Sequence, residues 1–173
     1  SPNFARTNVE TLSLPAEVAS AFALEWDLVI FDVGGDSTGA TALGRYYEDF
    51  AELPEGSLHV LNVVNTRRPM AGTPERLVSL MRDMERHSRQ KVTGLINNTN
   101  LARLAGPDDL RDGYEVVKEA SILTGVPVAY TTGRPDLLEA FLAEGHDPKY
   151  IGTPMAIDTF MHRDWETFAR EGL

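Results

Sequence analysis

Four short apolar runs rich in β-branched residues, at 27–33, 58–64, 91–97 and 126–130, recur through the chain. Each is too short for a buried helix and too continuous for a strand with one wet face, so each reads as a buried strand of a parallel sheet. Between them the apolar residues change to helical spacing. The clearest case begins at Thr73 as N-cap and Pro74 in the first turn, and carries Leu77, Leu80, Met81 and Met84 on one face. Further helices are expected over about 39–52, over 108–124 before Gly125, and over 135–144 before Gly145. Alternating strand and helix requires right-handed crossovers. The expected class is therefore α/β: a mostly parallel sheet with helices on both faces.

The 173 residues, 42% of them hydrophobic, suit one domain with a sizeable core. We divide it into a lead-in, 1–24, and a core, 25–173. In the lead-in, residues 1–14 are polar and aperiodic, and Pro15 opens a short helical stretch to Leu24. At the other end Ile157, Phe160, Met161, Trp165 and Phe168 form one stripe, the mark of a last helix that packs on the sheet.

Charge and composition exclude several function classes. With 26 acidic against 16 basic residues the formal charge is −10, which repels phosphate backbones and makes free nucleic acid an unfavourable partner. The absence of cysteine removes disulfides, thiolate metal sites and a cysteine nucleophile, and fits a reducing cytoplasm. No apolar run approaches the roughly 20 residues of a membrane span, and no charged and then apolar leader follows Ser1. The four histidines lack ligand spacing, and no G-x-S-x-G elbow is present. Asp108 with Asp109, and Asp83 with Glu85, read as a helix start and a charged helix face rather than catalytic pairs.

A parallel sheet delivers every strand's C-terminal end to one edge, where ligands bind. The expected loops there hold Asp32, Gly34, Gly35, Asp36, Ser37 and Thr38; Asn65, Thr66, Arg67 and Arg68; Asn97, Asn98, Thr99 and Asn100; and Thr131, Thr132 and Arg134. In the first loop two readings stand. Either the glycines make a turn and Asp32 is a cap, or Asp32 holds magnesium through water while the glycines bring N–H groups against a terminal phosphate. The glycine spacing is not G-x-G-x-x-G, and the second strand ends at Asn65 instead of an acid, so a nicotinamide site is disfavoured. The asparagine run can read a base edge or simply build turns. Arg67 and Arg68 can grip phosphate or a partner subunit, or lie in solvent.

The runs Asp27-Leu28-Val29-Ile30-Phe31-Asp32-Val33-Gly34-Gly35-Asp36, Val63-Val64-Asn65-Thr66-Arg67-Arg68-Pro69 and Gly94-Leu95-Ile96-Asn97-Asn98-Thr99-Asn100 resemble the downstream part of P-loop ATPases of the MinD/ParA and CobQ/CobB group. The resemblance implies a P-loop NTPase-like fold and binding of ATP with Mg2+. Asp32 takes the Walker B role on the metal, and Gly35, beside Gly34, the backbone approach to the γ-phosphate. Asn98 takes the adenine contact, with Asn97 as its register alternative, and Asn65 and Arg67 lie among the nucleotide-facing groups. Nucleotide-sandwich homodimers are also implied. No G-x-x-x-x-G-K-[ST] loop occurs in this sequence, and Gly34-Gly35 replaces the proline-containing turn frequent in the group. The expectation is a chain truncated on its N-terminal side, an ATPase fragment inactive alone. The alternative is a non-catalytic α/β module that binds a protein.

Overall fold

The computed structural model describes residues 16–158. Contacts divide the chain into two compact units, one running to Leu58 and including Arg82–Lys91, the other formed by His59–Met81 and the chain from Val92 onward.

The second unit holds a four-stranded, all-parallel sheet flanked by helices, in the order β1 (Leu61–Val64), β2 (Gly94–Asn97), β3 (Val128–Gly133), β4 (Thr153–Ala156). The α/β class expected from the sequence is the class observed. Helices α4 (Pro74–Ser88), α5 (Pro107–Thr124) and α6 (Pro135–Leu142) make the three crossovers. Because the sheet grows in one direction, right-handed crossovers all fall on the same face. The core agrees: Leu77 and Met81 of α4 and Val117 and Ala120 of α5 pack on Val64, Leu95 and Val128. Leu110 and Tyr114 of α5 meet Leu137, Leu138 and Phe141 of α6 in an adjoining cluster. Of the two faces expected to be covered, this is the one these three helices supply.

Local chemistry accounts for the boundaries. Thr73 caps α4 as its position suggested, its hydroxyl oxygen accepting from the Arg76 N–H at 3.4 Å. Helix α5 stops at Gly125, which takes φ +75, a left-handed conformation that costs glycine nothing. Strand β4 has no strand signature, since Thr-Pro-Met-Ala lacks a β-branched run and proline cannot donate to a ladder. It is a strand because β3 offers it an edge, the position where a strand tolerates proline.

The first unit holds α1 (Ala16–Ala23), matching the short helix after Pro15, then α2 (Ser37–Gly44) and α3 (Tyr47–Ala51). The single helix expected over 39–52 is thus two. Buried Gly44 ends α2, and a Cβ there would collide with the carbonyl oxygen of His87, so the close approach requires glycine. Phe22, Phe31 and Phe50 form a ring cluster with centroids 5.0–5.6 Å apart.

One expected strand is absent. Residues 27–33 form no strand, and among the described residues no backbone hydrogen bond engages them. Their composition favours a strand, but a strand exists only where its N–H and C=O groups meet a ladder. The polar lead-in 1–14 and the stripe from Phe160 to Phe168 lie outside the described residues. Among the described residues no helix is long and apolar enough to cross a membrane.

Candidate functional site

The expected site residues fall in both units, and each unit is described by itself. In the first, Asp36 caps α2 with its carboxylate, accepting from the Gly39 N–H at 2.8 Å. Gly39 is required by close approach: a Cβ there would stand 2.9 Å from the carbonyl oxygen of Gly34. Gly34 and Gly35 do not occupy the left-handed region, so a positive φ is not why they are glycine. Open space lies over Gly35, where a Cβ would meet nothing within 4 Å. Asp32 is exposed, and its carboxylate has no hydrogen-bond or ion-pair partner among the described residues. It is not a helix cap; Asp36 has that task.

In the second unit the loops after β1, β2 and β3 meet at the C-terminal edge of the sheet. Asn65 ties the first two together. Its side-chain oxygen accepts from the Arg67 N–H at 3.0 Å, and its amide donates to the carbonyl of Asn100 at 3.0 Å. The Thr66 N–H donates to the hydroxyl oxygen of Thr99 at 3.2 Å. Asn65 is thus a brace between loops.

The two neighbouring asparagines differ in role. Asn97 is 1% exposed. Its amide donates to the Leu110 carbonyl at 3.2 Å, while its side-chain oxygen accepts from the Thr99 N–H at 3.2 Å. Both ends are consumed in fastening β2 to α5. Asn98 is half-buried, and its own N–H donates to the Val64 carbonyl at 2.8 Å. Its side-chain oxygen accepts from the Thr132 hydroxyl at 2.9 Å and from the Asn100 amide at 3.3 Å. The Asn98 amide nitrogen has no partner among the described residues. Thr132, only 5% exposed, thereby orients the one of these two asparagines whose donor remains available. Sequence reading put Thr132 at this edge but gave it no role.

Arg67 does not reach out. Its guanidinium is held on α5, with Nε 2.5 Å from Asp109 and Nη2 2.8 Å from Asp112. Its hydrogen bond to Asp109 holds its pKa above the usual arginine value, opposed by partial burial and aided by Asp112. Asp109 also accepts from the Gly106 N–H at 2.7 Å, closing the start of α5. That confirms the helix-opening role expected of the Asp108–Asp109 pair. Arg68 is exposed, and its guanidinium has no partner among the described residues.

A residue the sequence reading passed over lies beneath this edge. Gly113 is buried in the middle of α5, and a Cβ there would overlap Thr99 and the side-chain oxygen of Asn97. Its signal was glycine inside a helical pattern, which costs roughly 1 kcal/mol against alanine and so implies a packing reason.

A cavity of about 440 Å3 opens beside α5, lined by Thr66, Arg67, Gly72, Asp112, Glu115 and His146 among others. Neither Asn97 nor Asn98 lines it. Its arginines are already paired: Arg111 reaches Glu144 at 2.6 Å and Asp108 at 2.5 Å. Among the described residues no three histidines, aspartates or glutamates gather as a metal cage. Magnesium does not require one, because it takes one or two carboxylates and completes its shell with water and phosphate oxygens. A lone free carboxylate such as Asp32 fits that chemistry.

Comparison with protein-family models, with curated proteins and with solved structures finds no match for this chain.

Proposed function

We propose that this chain is the nucleotide-binding part of a magnesium-dependent ATPase or ATP-driven switch, and that without a Walker A loop in its sequence it does not turn ATP over by itself. The reading is carried by Asn98. Its oxygen is taken by Thr132 and Asn100, its amide nitrogen is left as a donor, and it lies where parallel sheets take ligands. A purine ring nitrogen is an acceptor suited to that donor. Within the first unit, Asp32 is the carboxylate that the resemblance implies for magnesium, which would neutralise charge on the phosphates. Gly35, with open space over it, allows the backbone to approach a phosphate oxygen. Phosphoryl transfer further needs a lysine and an amide nest, and no residue named here provides them.

The test is an amide-resolved NMR titration of the chain with magnesium and ATP. Shifts at Asn98 and Thr132 that disappear in Asn98→Ala, together with magnesium-dependent shifts at Asp32 that disappear in Asp32→Ala, are expected. No response up to millimolar nucleotide, or one confined to other residues, overturns the reading.

A second reading, a non-catalytic module that binds a protein, is favoured by a different observation. The Asn97 amide is consumed by α5, and the Arg67 Nε and Nη2 are committed to Asp109 and Asp112, which leaves less of this rim for a nucleotide.

A further inference from the structure

The two edges of the sheet are protected differently. β4 closes one edge with Pro154, a residue that blocks addition of a further strand. β1 closes the other with Leu61-Asn62-Val63-Val64, which contains no proline, no charge and no bulge. In a parallel ladder residues turn both backbone groups alternately to one side and the other. The carbonyls of Val60 and Val64 accept, at 2.8 Å each, from the N–H groups of Thr93 and Asn98, which flank β2. Leu61 and Val63 therefore turn their N–H and C=O groups away from the sheet. Their side chains are 40% and 59% exposed.

The same chain carries a segment with the opposite deficiency. Residues 28–31 have strand composition and, among the described residues, no ladder. Phe31 is held between Phe22 and Phe50, whereas Leu28 and Ile30 are 75% and 80% exposed. Two large side chains two residues apart, beside unpaired backbone groups, match what Leu61 and Val63 present. An unsatisfied strand and an unguarded edge on one polypeptide are complementary halves of an interface.

We propose that two copies of this chain associate by strand exchange, residues 28–31 of each adding to the β1 edge of the other. The exchange is reciprocal, so it closes as a two-fold dimer in which each β1 edge is paired. It pairs backbone groups and buries Leu28 and Ile30 beside Leu61 and Val63. It depends on neither functional reading above, since no candidate nucleotide residue takes part.

The test is sedimentation equilibrium of the chain over a hundredfold concentration range, with Val63→Lys and Ile30→Lys as variants. Both positions are exposed, so each variant should keep its circular dichroism spectrum and unfolding midpoint. A dimer is expected for the parent chain, with at least tenfold weaker association in either variant. Hydrogen exchange at the amides of Leu28, Ile30, Leu61 and Val63 should be slow in the dimer and fast in the variants. A monomer at every concentration overturns the proposal, as does a dimer indifferent to both substitutions. A monomer with those amides protected, meaning pairing within one chain, or open-ended growth beyond a dimer also overturns it.

Discussion

The hydroxyl of Thr132 on β3 donates to the side-chain oxygen of Asn98, just past the end of β2, at 2.9 Å. The bond spans adjacent strand ends and decides which end of the Asn98 amide is presented. Thr132→Val keeps the shape and removes the donor. It should cost about 1 kcal/mol of stability, and Thr132→Ser should recover most of that. Urea unfolding measures both. A valine variant as stable as the parent would mean that Asn100 alone orients the amide.

Gly113→Ala brings helix propensity into conflict with packing. Propensity alone predicts a gain of roughly 1 kcal/mol. The added Cβ must displace Thr99 and the Asn97 oxygen, both buried, and overpacking of this kind costs about 1–3 kcal/mol. We expect net destabilisation, read from the denaturation midpoint, together with chemical-shift changes at Asn97 through Thr99.

Arg67 neutralises Asp109, whose side chain is 8% exposed, while the guanidinium is 34% exposed. Removing one partner of a fully buried pair costs about 3–5 kcal/mol, and exposed pairs are worth little. For this intermediate case Arg67→Ala should cost about 1–3 kcal/mol. Arg67→Lys should restore only part of it, because an ammonium cannot reproduce the fork that spans Asp109 and Asp112. A double-mutant cycle with Asp109→Asn isolates the coupling.

Acid should loosen the contact between α5 and the end of α6. Hydrogen bonds from Arg111, and then from His146, hold the Glu144 carboxyl down from an ordinary value of 4.5 to about 2. A carboxylate with a depressed folded-state pKa contributes stability above its unfolded value and loses it as pH falls toward the folded one. Thermal unfolding should therefore shift downward between about pH 4.5 and 2. Glu144→Gln should flatten part of that slope.

Much of the framework was legible because it follows from local chemistry. The β-branched runs marked β1, β2 and β3, Thr73 and Pro74 marked the start of α4, and Gly125 marked the end of α5. Three of the four expected strand-end loops, those after β1, β2 and β3, could be assigned to one edge because parallel topology leaves them no other place; the loop from Asp32 follows no strand. What escaped depends on partners. Residues 27–33 resemble β1 in composition, yet only β1 has a neighbour in the sheet. Strand β4 had no signal at all and exists because β3 was there to pair with it.

The candidate site divides along the same line. The order of residues was enough to bring Asn65, Arg67, Asn97, Asn98 and Thr132 to one rim, since strand direction and crossover handedness follow from alternation of short apolar runs with helices. It could not say which of two adjacent asparagines faces inward, or that α5 would take Arg67. Those outcomes turn on hydrogen bonds of 2.5–3.2 Å between residues 13 to 45 positions apart. A hydrogen bond or ion pair across such a separation forms only when packing has already brought its two ends together, so tertiary structure alone decided it.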